Sequence, residues 1–114
     1  KIRASAFVTY SRRDLKEEIT PLNGALDSVM KMQGVTYNMK SAETARKFVP
    51  GDKQEIGFIA EEMMKVIPQV VQRSDVDGDV HGIDYAKLTA VLAEAIKEQQ
   101  AQIEMLQAKI NKVS

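Results

Sequence analysis

Two residues near the start of the chain are of types that can cut a peptide bond without metal or thiol. In the stretch SRRDLKEEI, Ser11 precedes Lys16 by five positions. A serine hydroxyl is a weak nucleophile until a base takes its proton. A lysine serves as that base when burial or neighbouring cations favour its neutral amine, and Arg12 and Arg13 stand close to Lys16 in sequence. Ser–Lys pairs are a known variant of the triad logic. Spacing alone does not join them, because a step of five leaves two side chains on different faces of a helix with about 3.6 residues per turn. The pair meets only if Ser11 lies on a strand or turn ahead of a helix and Lys16 folds back over the first turn. Otherwise Ser11 is a helix cap and Lys16 a solvated charge.

Other chemistry is poorly supplied. There is no cysteine, which removes disulfides and thiolate metal sites. Asp75-Val76-Asp77-Gly78-Asp79 has the look of a calcium loop, but Gly78 falls between the second and third aspartates and the twelfth place is Ala86. It reads as a turn. His81 is the one histidine, so it lacks the companions a metal site needs. No cofactor and no metal are expected. The six methionines (30, 32, 39, 63, 64 and 105) fall mostly at apolar helical positions and read as core filler.

The elements that must position Ser11 and Lys16 follow from patterning. A length of 114 residues fits one domain with a modest core. Sixteen basic residues offset sixteen acidic ones, which argues against a dedicated nucleic-acid binder. No apolar run reaches the ~18–20 residues of a membrane span, and no signal peptide is visible. The chain opens on Lys1 inside a strand-like run, so it reads as a piece or tail of something longer. Residues 4–10, ASAFVTY, read as a strand. Thr20-Pro21 reads as a helix start, with apolar positions at 22, 25, 26, 29 and 30. Residues 35–39 alternate like a strand with Val35, Tyr37 and Met39 on one face. Residues 41–50 are a polar connection and 50–52 a turn. Residues 56–59, IGFI, form a short strand in which Gly57 suggests the close approach of another backbone. Residues 60–67 are a helix stopped by Pro68. Val70-Val71 and Val80 flank a hairpin turn centred on Asp77-Gly78.

Asp84 reads as the N-cap of a last, long helix over 85–112. Its first half is apolar on a wide face. Its second half narrows to Leu92, Ile96, Gln99, Ile103, Leu106, Ile110 and Val113, in alternating steps of four and three. Glu94, Lys97, Glu98, Glu104 and Lys109 flank this heptad stripe. So narrow a seam needs partner helices, and self-association is preferred over folding back because the seam continues to the end of the sequence. Gln99 would tune register.

Three blocks in order carry a resemblance: SRRDLKEEITPLNGALDSVMKMQGVTYNMK, IGFIAEEMMKVIPQVV and GIDYAKLTAVLAEAIKEQQAQIEML. Over residues 11–106 the chain resembles the C-terminal intramolecular chaperone domain of phage tail spikes and tail fibres. It is also similar to the self-cleaving domain of myelin regulatory factor-like transcription factors. The resemblance implies an α+β fold of short strands packed with helices, then a long C-terminal helix in a homotrimeric coiled-coil-like bundle. It implies residues 1–10 as the end of an upstream fibre segment, 11–84 as the chaperone core and 85–114 as the oligomerisation helix.

The implied activity is to trimerise, to align an upstream β-rich shaft of the same precursor, and to leave by cutting Tyr10–Ser11. The work would be done in the host cytoplasm during phage assembly, with the released domain absent from the mature virion. No membrane or nucleic-acid partner is implied. Ser11 matches the family's nucleophile and Lys16 its base. The family's acidic residue after the serine is here Arg12, and its basic residue in the fourth place is Asp14, so the charges are exchanged. A contact between Arg12 and Asp14 would replace the usual pair. The competing readings are a trimerisation module with a degenerate site and the self-cleaving segment of a membrane-tethered transcription factor.

Overall fold

A computed structural model describes residues 10–39 and 54–113. The fold is α+β. A 3-10 turn at Arg13–Leu15 leads to α1 at Ala25–Lys31, then β1 at Val35–Tyr37. After the second described stretch begins come β2 at Glu55–Gly57, α2 at Ala60–Val66, a 3-10 turn at Pro68–Val70, β3 at Val71–Arg73 and β4 at Val80–Ile83. A 3-10 turn at Tyr85–Lys87 then runs into α3, Leu88–Val113.

The strands form two antiparallel pairs. In the first, Val35 opposes Gly57 and Tyr37 opposes Glu55. In the second, Val71 opposes Ile83 and Gln72 opposes Gly82, but Arg73 opposes Val80. His81 is therefore the extra residue of a bulge, a local twist that leaves its strand position unpaired. The hairpin turn lies where the sequence placed it. Ser74 N–H donates to Asp79 O at 2.8 Å and Gly78 N–H to Ser74 O at 2.9 Å.

A small core joins these parts. Ala25, Met63, Ile67, Val70, Leu88, Val91 and Ala95 are buried, with Leu26, Val29, Met32, Phe58, Val66, Val71 and Ile83 packed against them. Leu88, Val91 and Ala95 recur at steps of three and four, so one stripe of α3 faces the core and α1 lies against it. From residue 99 onward every described residue of α3 is exposed. Those fifteen residues, 99–113, extend about 22 Å at ~1.5 Å per residue. The helix is thus core wall in its first half and free rod in its second.

Several expectations need correction. The first helix does not begin at Thr20-Pro21. Thr20 Oγ1 donates to Glu18 O at 3.4 Å instead of capping, and Leu22 lies outside the helix. The helix begins only after Gly24, which takes φ +74 at the N-cap. Gly24 has no side chain to cap with, and the acceptor comes from far along the chain. Glu98 Oε2 accepts from Ala25 N–H at 3.0 Å and Oε1 from Leu26 N–H at 3.3 Å. A carboxylate at a helix N-terminus is favoured by both the free amides and the dipole. Glu98, read from sequence as a flank of the seam, is the clamp that fixes α1 to α3. Replacing Glu98 by alanine should cost about 1–2 kcal/mol, with glutamine intermediate, as chemical denaturation would read.

Asp84 does not cap the long helix with its side chain. Its N–H donates to Val70 O at 2.7 Å, and a 3-10 turn comes before the α-helix. The strands are shorter than read: 35–37 instead of 35–39, and 55–57 instead of 56–59. The helix at 60 ends at Val66, with Ile67 as its C-cap. Met63 is fully buried, but Met30, Met39 and Met105 are exposed, so only part of the methionine set fills the core. All but Tyr10 of the strand read at 4–10, and the whole of the connection read at 41–50 and the turn read at 50–52, lie outside the described residues.

Gly57 has a different neighbour from the expected backbone. A Cβ there would stand 2.6 Å from Tyr85 Oη. That hydroxyl accepts from Phe58 N–H at 3.1 Å, and the Phe58 and Tyr85 rings stack at 6.3 Å. Gly57→Ala should therefore cost about 1–3 kcal/mol by overpacking. Adding Tyr85→Phe should recover part of that loss, because it removes the clashing atom. A double-mutant cycle by urea denaturation checks the coupling.

Candidate active site

Residues 11–24 are exposed throughout, so this segment contributes nothing to the buried core. Its local shape comes from the 3-10 turn. Leu15 N–H donates to Arg12 O and Lys16 N–H to Arg13 O, both at 3.1 Å. Arg12 before the turn is extended (φ −71°, ψ 146°), as is Lys16 after it (φ −123°, ψ 150°). A tight turn between two extended residues does what a regular helix cannot: it folds Lys16 back toward Ser11. Lys16 Nζ donates to Ser11 Oγ at 2.6 Å. The geometric condition set by the sequence is met, with a 3-10 turn in place of an α-helical one.

That separation is within the reach needed for proton transfer. With the ammonium form the proton points from lysine to serine. With a neutral amine the same two atoms hold the serine proton, which is the reactive arrangement. Tyr10, whose carbonyl precedes Ser11, is 80% exposed, so the peptide bond between them is accessible. Arg12 Nε donates to Asp14 Oδ1 at 3.2 Å across the same turn. Both side chains are solvated, so the pair orders the turn more than it stabilises the fold. It also balances the Arg12 charge.

The other sequence candidates fall as follows. The seam side chains of α3 lie open to solvent: Ile96 is 64% exposed, Ile103 51% and Leu106 58%, with Leu92, Gln99 and Ile110 also exposed. None of them packs into the core, which uses 88, 91 and 95 instead. His81 Nε2 stands 4.0 Å from Asp77 Oδ1 on the surface. Among the described residues no cluster of His, Asp and Glu is arranged to hold a metal ion. No helix among them is long and apolar enough to cross a membrane. A shallow groove lined by Tyr37, Phe58, Ile59, His81 and Tyr85 escaped the sequence reading, because its aromatics come from separate elements.

Residues 11–72 match the model of a peptidase family described as chaperone of endosialidase. The chain belongs to that family. The match begins at Ser11, the residue whose hydroxyl meets Lys16. The resemblance seen in the three sequence blocks thus holds at the level of the family. The chain is also 30% identical over 106 residues to the long tail fiber protein Gp37 of Enterobacteria phage M1 and equally to that of phage Ox2. It is 29% identical over 107 residues to the Gp37 of phage T2. These alignments take in 92% and 89% of the chain but only 39% and 8% of the relatives, so the chain corresponds to a minor part of their length.

Proposed function

We propose that this chain is the self-releasing chaperone of a phage tail fibre. It holds three copies in register through the α3 seam while an upstream β-rich shaft folds, and then cuts the Tyr10–Ser11 bond. The observation that carries the reading is the 2.6 Å contact between Lys16 Nζ and Ser11 Oγ at the first residue of the family match.

In the proposed reaction Lys16 takes the Ser11 hydroxyl proton. Ser11 Oγ attacks the Tyr10 carbonyl carbon, and the C–N bond to Ser11 breaks as the amine takes up a proton. Water then opens the resulting ester, leaving a Tyr10 carboxylate and a domain that begins at Ser11 with its hydroxyl restored. Because Ser11 and Lys16 meet within one chain, each copy would cut itself.

The chaperone role follows from the problem of the shaft. Intertwined β-rich chains pair slowly and expose aggregating edges. A helical seam that associates first raises their local concentration. Removing the clamp afterwards leaves the fibre kinetically trapped. The work would be done in the bacterial host during assembly, and the detached domain would be missing from the finished particle.

The test is to produce the upstream shaft with and without residues 11–114. With the domain, a soluble trimeric fibre and a separate domain are expected; without it, aggregated shaft. A shaft that trimerises equally well alone would overturn the chaperone reading. A soluble trimer that stays joined to the domain would leave an assembly clamp without chemistry.

A further inference from the structure

We propose that Asn23–Gly24 is a spontaneous deamidation site whose conversion loosens the clamp between α1 and α3. The chain has two dipeptides of the kind that cyclise readily, Asn23–Gly24 and Asp77–Gly78, because a glycine leaves its own nitrogen open to approach. The structure separates them.

At Asp77–Gly78 both reacting groups are occupied. Gly78 N–H donates to Ser74 O at 2.9 Å, and Asp77 Oδ1 accepts from Asp79 N–H at 2.9 Å. At Asn23–Gly24 both residues are exposed, and among the described residues nothing hydrogen-bonds the Asn23 amide or the Gly24 N–H. Gly24 is the N-cap of α1, so its N–H lies outside the helical ladder while its carbonyl accepts from Ser28 N–H at 3.1 Å. Leaving aside Gly24 itself and its two chain neighbours, no atom stands within 4 Å of where a Gly24 Cβ would be, so no other segment crowds the residue.

The chemistry needs only water. The Gly24 nitrogen gives its proton to a solvent base and attacks Asn23 Cγ. The new C–N bond forms, the carboxamide C–N bond breaks, and ammonia leaves with the proton returned to it. Water then opens the succinimide ring. Attack at the side-chain carbonyl yields aspartate; attack at the main-chain carbonyl yields isoaspartate.

The site matters because of what lies next to it. Ala25 and Leu26 are the residues whose amides the Glu98 carboxylate grips. Either product adds a negative charge two residues before the first amide that the Glu98 carboxylate grips, and like charges repel. Isoaspartate also lengthens the main chain by one methylene immediately before the capped turn. Both changes weaken the contact that holds α1 on the long helix.

The chain carries its own controls. Asn38 is followed by Met39, whose side chain crowds the attacking nitrogen, and Asn111 lies inside α3 with Oδ1 accepting from Gln107 Nε2 at 3.2 Å. The experiment is to age the purified chain at mildly alkaline pH and to map peptides by mass, with isoaspartyl-specific enzymatic labelling and thermal melts at each time. The Asn23 peptide should convert at least about tenfold faster than the other two, a barrier difference of about 1.4 kcal/mol. The melting midpoint should fall in step, and the Asn23→Ser chain should age without that fall. Conversion of Asn23 no faster than of Asn38 and Asn111 would overturn the proposal. So would full conversion with an unchanged midpoint.

Discussion

A precursor carrying Ser11→Ala, with its shaft upstream, should keep the Tyr10–Ser11 bond whole over times in which the native chain is fully cut. No other group in the segment replaces the hydroxyl. Among the described residues, the only short contact made by the Lys16 amine is to that oxygen, at 2.6 Å. Lys16→Ala should slow cutting by about 10²–10⁴-fold, the usual contribution of a positioned base. Lys16→Arg is the more informative change. A guanidinium does not give up its proton near neutral pH, so arginine keeps the charge and loses the base. If lysine only orients Ser11 by its charge, the arginine chain should cut at close to the native rate; if it takes the proton, arginine should fail like alanine. All these chains should assemble normally, because residues 11–24 place no side chain in the core. Size-exclusion chromatography with light scattering checks that point beside the cleavage assay.

The second large effect is expected at the other end. Ile103→Asp should abolish self-association while leaving the core intact. Ile103 is exposed in the single chain, so the substitution removes no intrachain packing. In an association of three chains it removes three buried side chains at about 1.5–3 kcal/mol each, before any penalty for burying carboxylates. A loss of that size weakens assembly by more than about a thousandfold, at 1.4 kcal/mol per factor of ten. Met105→Asp is the matched control. Met105 lies on the same exposed half of α3, between the seam residues Ile103 and Leu106 in sequence but turned away from their stripe. Sedimentation velocity should show a monomer for the first chain and an unchanged assembly for the second. Equal behaviour of the two would remove the seam from the account.

How much of this was legible depended on whether the cause was local. The hairpin at Asp77-Gly78 and the stop at Pro68 depend on residues close together in sequence, and these features lie where turn chemistry placed them. The start of α1 does not. Thr20-Pro21 has the form of a helix entry, yet the helix waits for Gly24 because its cap is Glu98, 73 positions away from Ala25. No local window contains that partner. Gly57 was correctly marked as a close approach, but the approaching atom is the Tyr85 hydroxyl, 27 positions beyond the Phe58 amide that it also binds.

The Ser–Lys pair is an intermediate case. Residue types and spacing made it a candidate and stated the one shape that would join it. The turn at Arg13–Leu15, braced by Arg12 and Asp14, supplies that shape. The exchanged charges of Arg12 and Asp14, a departure when read as a motif, still make the contact that a turn of this kind can use.

The central claim is that Ser11 cuts the bond in front of itself. The most direct measurement is the intact mass of the native precursor over time, with N-terminal sequencing of any released piece, beside the Ser11→Ala chain. The expected result is a fragment that begins at Ser11 from the native precursor and a single uncut species from the alanine chain. A native precursor that remains whole, or a fragment whose first residue is not Ser11, would contradict it.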